Sequence, residues 1–294
     1  MSAESPESFG LSGLSAHAER APLGGAPAGG VRSRPPGLVA TDLDGTLVRS
    51  DGSVSARTRA AIERVEGTGT PFVMVTGRPP RWMAPVVQAT GHRGLAICAN
   101  GAVVYDLHTE RVVQSYLLAA GPAEQVVTAL RREVPGVAFA AEDGDSVFGH
   151  EPAYQPRYDV GAIRVAPVEE LYAAGVAKLL VRHEQMTGDE LMAAARATLG
   201  DLVETTSSSA EGLVEISAPG ISKASGLAIL ASQHGVAAAD VVAFGDMPND
   251  LPMLAWAGLS VAMGNAHDEV LAVADEVTST NDQDGVALVL ERWF

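Results

Sequence analysis

A rhythm of short apolar runs and helical segments, which begins at Gly37, constrains the fold more than any other feature of the sequence. The runs LVAT, PFVMVT and LAIC alternate with the helical segments ARTRAAIERV and RWMAPVVQAT. This order is typical of a βαβαβ unit, and continuous apolar strands indicate a parallel sheet that is covered on both faces. We therefore expect an α/β fold with a doubly wound parallel sheet, whose ligands bind at the carboxyl ends of the strands.

The rhythm loosens between residues 101 and 210 and then resumes. In this stretch AVVYD and RVVQSYLL are spaced like a hairpin, and further strand candidates (VAFAA, SVFGH, VAKLLVR) accompany two helical segments. We interpret residues 101–210 as an inserted α/β cap domain with antiparallel pairing, set over the strand ends of a discontinuous core at 37–100 and 211–294. Residues 1–36 are rich in Ser, Ala, Gly and Pro without an apolar period, which predicts a disordered tail.

Charge and cysteine content narrow the partners and the compartment. The formal net charge is -16, and no basic patch offsets it, which argues against nucleic acid and anionic membranes as partners. An acidic protein that binds phosphate must neutralise it with a cation or with a few placed donors. The single cysteine, Cys98, lies in an apolar run that predicts a buried thiol, and the sequence shows neither a membrane span nor a secretory signal. We therefore expect a soluble, cytoplasmic protein.

Four short segments carry candidate chemistry, and the first is residues 42–46 (DLDGT), directly after the first predicted strand. Residues i and i+2 of an extended segment point to the same side, so Asp42 and Asp44 can face one ligand. They suit a metal ion, or a nucleophile with a proton shuttle. The alternative is an ordinary acidic turn. An EF-hand loop does not fit, because its sixth and twelfth positions hold Leu47 and Ser53.

The second and third segments offer phosphate donors. Thr76, Gly77 and Arg78 end the second predicted strand, where a hydroxyl and backbone amides at a helix start can cradle a phosphate. Alternatively, Thr76 is only a helix-capping residue. Lys223 lies in the first turn of a predicted helix, where a cation opposes the helix dipole unless an anion compensates it. A solvated surface lysine is the other possibility.

The fourth segment is residues 245–250 (GDMPND), directly after the apolar strand DVVAF. Asp246 and Asp250 offer the oxygen ligands that Mg²⁺ prefers, while helix capping by Asn249 or Asp250 is the alternative. All four segments occupy the same place in the fold, the edge of an open α/β sheet at which ligands bind. This agreement favours one composite site over four ordinary turns.

In this order and spacing, the four segments resemble the motifs of the haloacid dehalogenase (HAD) superfamily, specifically its Cof-type branch of sugar-phosphatase-like hydrolases. The resemblance spans Gly37 to the C-terminus and extends to residues 100–102, 263–266 and 281–286. It implies a Rossmann-like core with a large cap, and a Mg²⁺-dependent phosphatase. Asp42 would attack phosphorus to form an aspartyl-phosphate, and Asp44 would protonate the leaving oxygen and later activate water.

The same resemblance implies roles for the remaining positions. Thr76 and Lys223 would hold the phosphoryl oxygens. Asp246 would bind Mg²⁺ together with Asp42 and the backbone carbonyl of Asp44, with Asp250 supporting them. We thus expect Asp42, Asp44 and Lys223 in catalysis, Thr76, Gly77, Arg78, Lys223 and Asn249 in phosphate binding, and Asp42, Asp44, Asp246 and Asp250 in metal binding.

The expected substrate is a small phosphorylated metabolite, chosen by the cap. Sugar phosphates are the first choice, and phosphorylated cofactors stay open because Arg157, Arg164, Arg182 and His183 of the cap do not discriminate. One rival function is a phosphomutase or phosphotransferase of the same fold, which passes the phosphoryl group to a sugar hydroxyl. A second is a non-catalytic phosphate- or metal-binding regulator, against which the inserted domain argues. The sequence does not indicate the oligomeric state.

Overall fold

The structure is a computed structural model, and it describes residues 34–157, 163–207 and 212–294. Of the predicted disordered tail at 1–36, only residues 34–36 are among them, and the predicted boundary between residues 210 and 211 also lies outside the described residues. Pro35–Phe294 form one compact unit, to which the following description applies.

Two sheets organise the described residues. The strands are β1 (Leu38–Thr41), β2 (Phe72–Val75), β3 (Leu95–Cys98), β4 (Val103–Asp106), β5 (Arg111–Ser115), β6 (Ala138–Glu142), β7 (Phe148–His150), β8 (Ile163–Val165), β9 (Lys178–Arg182), β10 (Glu204–Thr206), β11 (Val214–Ser217), β12 (Val241–Gly245), β13 (Leu259–Ala262) and β14 (Glu276–Val277). The first sheet has the order β14-β13-β12-β1-β2-β3-β4-β5, and the second has the order β10-β11-β9-β6-β7-β8.

The helices lie between these strands in the chain. They are α1 (Ala56–Gly67), α2 (Ala84–Thr90), α3 (Ala120–Glu133), α4 (Val168–Leu171), α5 (Gly188–Leu199), α6 (Lys223–Gln233), α7 (Leu251–Trp256), α8 (Asp268–Leu271) and α9 (Gly285–Leu290). Short 3₁₀ turns occur at Pro80–Trp82, Ala99–Gly101, Gly200–Leu202, Ala238–Asp240, Pro248–Asp250 and Asn281–Gln283. Within the described ranges, no helix has the length and apolar character needed to cross a membrane.

The first sheet confirms the predicted doubly wound α/β fold. Its strands from β14 to β3 pair in parallel, and β4 and β5 add an antiparallel edge. Alternate residues of β1 pack on opposite faces: Val39 belongs to the cluster that includes α1 and α9, while Leu38 and Ala40 belong to the cluster that includes α6 and α7. Burial on both faces explains why these strands read as continuous apolar runs.

Among the described residues, helices α3 and α5 cover one face of the second sheet. Phe139, Leu179 and Val214 pack with α3 and α5 in one apolar cluster. The pairing is antiparallel except between β7 and β8, which run parallel. Because side chains alternate along a strand, the residues between these apolar positions point to the opposite face, which lines the cavity described below.

The strand assignment differs from the expected domain boundaries. Strands β4 and β5, expected in the cap, extend the first sheet, because the tight 3₁₀ turn at Ala99–Gly101 lets β4 fold back directly on β3. Strand β11, expected in the core, lies in the second sheet between β9 and β10. It is fully buried like a core strand, so that only its pairing partners reveal where it belongs. The chain passes to the second sheet after Ser115 and leaves it after Ser217.

Cys98, the last residue of β3, is a buried free thiol, as its apolar surroundings predict. Burial raises its pKa to about 12. A thiol with this pKa holds its proton at neutral pH, so the cysteine contributes to packing and not to chemistry.

Candidate active site

The predicted segments meet at the carboxyl ends of three neighbouring parallel strands, β12, β1 and β2. Asp42 directly follows β1, and its backbone N–H donates to the carbonyl of Phe244 at 3.0 Å. Thr76 directly follows β2, and Asp246 directly follows β12. Lys223 is the first residue of α6 and points into the same region. The open α/β sheet thus brings residues from distant parts of the chain to one edge.

A buried ion cluster forms the centre of this edge. Lys223 Nζ donates to Asp42 Oδ1 at 2.6 Å and to Asp250 Oδ1 at 2.7 Å. All three side chains are buried. Burial alone would lower the pKa of Lys223, but Asp250 and Asp42 raise it above its ordinary value, so the ammonium is charged. These two carboxylates are the anions that a lysine in the first turn of a helix requires.

Asp246 completes the cluster from the other side. The hydroxyl of Thr46 donates to Asp246 Oδ1 at 2.7 Å. Burial, followed by the charge of Asp250, raises the pKa of Asp246 to about 6. Burial also raises the pKa of Asp42 well above its ordinary range; Lys223 opposes this shift, and the neighbouring aspartates reinforce it. The cluster thus combines three carboxyl groups with a single ammonium, that of Lys223.

The donor set fits a divalent cation that prefers oxygen ligands. One carboxylate oxygen from each of Asp42, Asp246 and Asp250 lies within 4.8 Å of the others. Asp250 is already engaged, because its Oδ2 accepts the backbone N–H groups of Asp246 and Met247 at 3.0 Å each, while its Oδ1 accepts from Lys223. Asp42 and Asp246 are thus the side chains best placed to hold an ion, and Asp250 fixes the loop that carries Asp246.

Asp44 takes a different position from the one that an extended segment predicts. The chain turns immediately after Asp42, with the N–H of Leu47 donating to the carbonyl of Asp42 at 3.3 Å. The Asp44 carboxylate, 61% exposed, instead accepts two hydrogen bonds from Arg78, at 2.8 Å from Nε and 2.5 Å from Nη2. Its side chain lies outside the carboxylate cluster, although both aspartates line the same cavity. Metal binding through the Asp44 carbonyl stays a prediction.

The predicted phosphate-binding residues surround this cavity. Thr76 is buried, and its hydroxyl oxygen accepts the backbone N–H of Arg78 at 3.0 Å. Gly77, Arg78 and Asn249 line the cavity itself. Asn249 Nδ2 donates to Asn100 Oδ1 at 3.2 Å, and its buried Oδ1 has no hydrogen-bond partner among the described residues.

Two asparagines, from the segments 263–266 and 281–286, hold the loop that follows β1. Asn265 Nδ2 donates to the carbonyl of Gly45 at 2.8 Å, and Asn281 Nδ2 donates to the carbonyl of Val48 at 3.0 Å. The two asparagines are joined, because the N–H of Asn281 donates to Asn265 Oδ1 at 2.9 Å. They hold the backbone around Asp42 and Asp44 without entering the cavity.

The second sheet supplies the opposite wall of the cavity, which has a volume of about 190 Å³. The core side consists of Asp42, Asp44, Gly77, Arg78, Pro79, Trp82, Lys223, Met247 and Asn249, and the second-sheet side consists of Glu142, Lys178, Leu180, Leu213 and Glu215. Residues of the second sheet therefore face the strand ends of the first sheet across this cavity.

Sequence reasoning missed the charged residues of this second wall. Lys178 Nζ donates to Glu215 Oε1 at 2.6 Å and to the carbonyl of Gly77 at 2.8 Å, which joins the second sheet to the loop after β2. Glu215 Oε2 in turn accepts from Asn100 Nδ2 at 2.9 Å. The sequence feature that could have identified them is a single charged residue in an otherwise apolar strand, as in AKLLV, LVEIS and AFAAE.

Fold and site together define an enzyme of the phosphatase class, built on an open α/β sheet with a buried Asp-Lys-Asp cluster at its strand ends. The family is settled by the match of residues 39–290 to the model of the haloacid dehalogenase-like hydrolases. The chain belongs to this family and to its Cof-type branch. The predicted family, fold class and enzyme class are thereby confirmed.

The chain matches individual relatives over nearly the whole of their length. The chain is 29% identical over 271 residues to the 5-amino-6-(5-phospho-D-ribitylamino)uracil phosphatase YitU of Bacillus subtilis, covering 88% of this chain and 98% of the relative. It is 29% identical over 262 residues to the pyridoxal phosphate phosphatase YbhA of Escherichia coli, covering 85% and 96%. The crystal structure of TM0651 from Thermotoga maritima superposes with a TM-score of 0.71 at 29% identity, covering 87% and 97%.

Proposed function

We propose that the protein is a Mg²⁺-dependent phosphatase that hydrolyses a small phosphorylated metabolite through an aspartyl-phosphate on Asp42. The observation that carries this proposal is the buried carboxylate of Asp42, held by Lys223 at 2.6 Å and accompanied by Asp246 at the same edge of the sheet. A nucleophile that is fixed beside a buried cation can approach a phosphoryl group whose negative charge would otherwise repel it.

The proposed reaction consists of two successive displacements at phosphorus, in which Asp42 and Asp44 have different roles. Asp42 attacks phosphorus, and the bond from phosphorus to the leaving oxygen breaks while Asp44 gives that oxygen a proton. Asp44 then takes a proton from water, which attacks phosphorus and breaks the bond to Asp42, so that phosphate leaves and the carboxylate is restored. Asp44 suits this exchange because it lies on the exposed rim of the cavity, where Arg78 orients its carboxylate.

Positioning and charge account for the rest of the catalysis. Lys223 and the Thr76-Gly77-Arg78 loop would hold the phosphoryl oxygens, since phosphoryl transfer depends mainly on orientation and on stabilisation of the developing charge. When bound by Asp42 and Asp246, Mg²⁺ would supply the positive charge that the acidic cluster lacks. The cap would exclude water from the leaving-group side.

The comparisons support a small metabolite as substrate and leave its identity open. The two named relatives act on phosphate esters that contain a heteroaromatic ring, which supports testing phosphorylated cofactors beside sugar phosphates. We also propose a cytoplasmic location, which the buried Cys98 and the absence of any other cysteine support.

Phosphate release tests this proposal. Wild type, Asp42→Asn and the control Asp145→Asn, an exposed aspartate outside the cavity, are assayed on sugar phosphates, pyridoxal phosphate, flavin mononucleotide and p-nitrophenyl phosphate. We expect Mg²⁺-dependent release by wild type and the control, and a loss of about 10³-fold or more in Asp42→Asn. An unimpaired Asp42→Asn, or a wild type that releases no phosphate from any substrate, would refute the mechanism. Transfer of phosphate to a sugar hydroxyl would instead identify a phosphotransferase.

A further inference from the structure

Glu142 places a carboxylate oxygen without a donor on the wall of the active-site cavity. It is the last residue of β6, is 3% exposed, and lines the cavity from the second sheet. Arg81 Nη2 donates to its Oε1 at 3.2 Å. Its Oε2 is buried and has no hydrogen-bond partner among the described residues. A buried carboxylate oxygen that lacks a donor is unfavourable, so this position requires an explanation.

The nearest cation of the second sheet is engaged elsewhere. Lys178 lies directly opposite Glu142 in the antiparallel ladder of β6 and β9. Its ammonium donates to Glu215 Oε1 and to the carbonyl of Gly77. Burial lowers the pKa of Lys178, but Glu215 and then Glu142 raise it above its ordinary value, so Lys178 stays charged and committed to these contacts. Since no described residue gives Oε2 a donor, a molecule bound in the cavity is the source that we consider.

The surroundings of Glu142 restrict what this occupant can be. The phosphoryl group lies at Asp42 and Lys223 under the proposed function, so the second-sheet wall faces the leaving group. Leu180 and Leu213 give this wall an apolar part next to Glu142. The cavity of about 190 Å³ is smaller than the roughly 300–1,000 Å³ of clefts that bind drug-sized ligands. The part of the leaving group that lies inside this cavity must therefore be compact, with one polar and one apolar side.

We propose that Glu142 determines substrate specificity by accepting a hydrogen bond from a hydroxyl or N–H group on a compact leaving group. The apolar side of that leaving group packs against Leu180 and Leu213. The same carboxylate repels a leaving group that carries a second phosphate or a carboxylate at this position. This inference rests on the proposed phosphatase function, and it names the chemical class of the substrate.

The test compares substrates that differ only in the donor. The full-length wild type is assayed on the best hydroxylated substrate of the panel, on its monodeoxy analogues, and on p-nitrophenyl phosphate, whose leaving group offers no comparable donor. A hydrogen bond to a charged acceptor predicts that removing the critical hydroxyl lowers kcat/KM by about 10- to 100-fold. In Glu142→Leu the values of kcat/KM for the hydroxylated substrate and its deoxy analogue should differ by less than about 3-fold. The carboxylate that accepts from the hydroxyl is absent in this variant.

The control measurements separate specificity from a structural role. In Glu142→Leu and Glu142→Gln, kcat/KM for p-nitrophenyl phosphate should fall less than kcat/KM for the hydroxylated substrate, because the nitrophenyl leaving group gives Glu142 no hydrogen bond. Glu124→Gln, an exposed glutamate on α3, should leave all substrates unaffected. If Glu142→Leu does not fold, the isosteric Glu142→Gln carries the test, because loss of the negative charge should then improve the relative kcat/KM for a bisphosphate analogue by about 10-fold.

Two results would overturn the inference. One is an equal fall in kcat/KM on every substrate, including p-nitrophenyl phosphate. Glu142 would then act through Arg81 on the Thr76-Gly77-Arg78 loop. The other is an unchanged preference for hydroxylated over deoxy substrates in Glu142→Leu, or an unchanged preference for mono- over bisphosphates in Glu142→Gln. Failure of the phosphatase function is distinct from both, because it appears in the wild type as absent phosphate release.

Discussion

Replacing Lys178 by Met tests how the second sheet is joined to the loop after β2. Methionine preserves most of the aliphatic length and removes the ammonium, which donates to Glu215 Oε1 at 2.6 Å and to the carbonyl of Gly77 at 2.8 Å. Both charged side chains are 3% exposed, so water cannot replace the lost donor without opening the structure. The variant therefore leaves the Glu215 carboxylate buried without its cation.

The expected loss is large because only one member of a buried pair is removed. Breaking such a pair costs about 3–5 kcal/mol in the free energy of unfolding. Glu215→Gln should cost less, because its amide oxygen still accepts one hydrogen bond and the Glu142 carboxylate remains opposite Lys178 to offset its charge. In the double variant the two losses should not add, and we expect a coupling energy of about 1–3 kcal/mol between Lys178 and Glu215.

Urea unfolding at pH 7, followed by circular dichroism, measures this cycle. Because the pKa of Lys178 is raised in the folded protein, its stabilising contribution is fully present below the unfolded value of roughly 10.4 and is lost only as the pH rises above it. The control is Arg132→Met, whose guanidinium pairs with exposed Glu133 and should change the stability by less than about 0.5 kcal/mol. A loss below about 1 kcal/mol for Lys178→Met, or additive effects in the cycle, would refute the reasoning.

Two further predictions concern the metal site. Because the pKa of Asp246 is about 6, protons compete with a cation for its carboxylate below this pH. Mg²⁺ should therefore raise the melting temperature more at pH 7.5 than at pH 5. An equal rise at both pH values would exclude Asp246 as a ligand. In Gly45→Ala the new Cβ would lie 2.2 Å from Asp246 Oδ2, so we expect at least about a 10-fold fall in phosphatase activity and a weaker Mg²⁺ response. Gly52→Ala is the matched control, because its φ of +82° is close to the +78° of Gly45 while nothing lies within 4 Å of its Cβ; equal losses in both variants would point to backbone strain alone.

The first sheet and its motifs were predictable because their signals are local. The runs LVAT and LAIC are strands β1 and β3 with the bounds that the sequence indicates, since residues buried on both faces of a parallel sheet must be apolar throughout. The carboxyl ends of parallel neighbours then lie together regardless of the length of chain between them. Lys223 gave a weaker signal, because a cation in the first turn of a helix is unfavourable without an anion nearby, whereas a solvated surface lysine also fits this position.

The position of Asp44 could not be predicted in the same way. Side chains alternate between two faces only while the chain stays extended, and the chain turns directly after Asp42. The partner of the Asp44 carboxylate, Arg78, comes from the loop after another strand, so no spacing within the first segment reports the contact. Similarly, β11 has the composition of a core strand, and only its partners β9 and β10 place it in the second sheet.

The two walls of the cavity depend on the sequence in different ways. Under the proposed function, the phosphoryl side is specified by short segments at strand ends, whereas the leaving-group side depends on the register of antiparallel strands that are distant in the chain. A slip of one residue between β6 and β9 would turn Glu142 towards the helices and Ala141 towards the cavity. Substitutions on the cavity face of this sheet leave its packing against α3 and α5 untouched, because alternate residues serve the two faces. The same fold can therefore exchange leaving groups by changing a few positions of the second sheet while the Asp42–Lys223 chemistry stays constant.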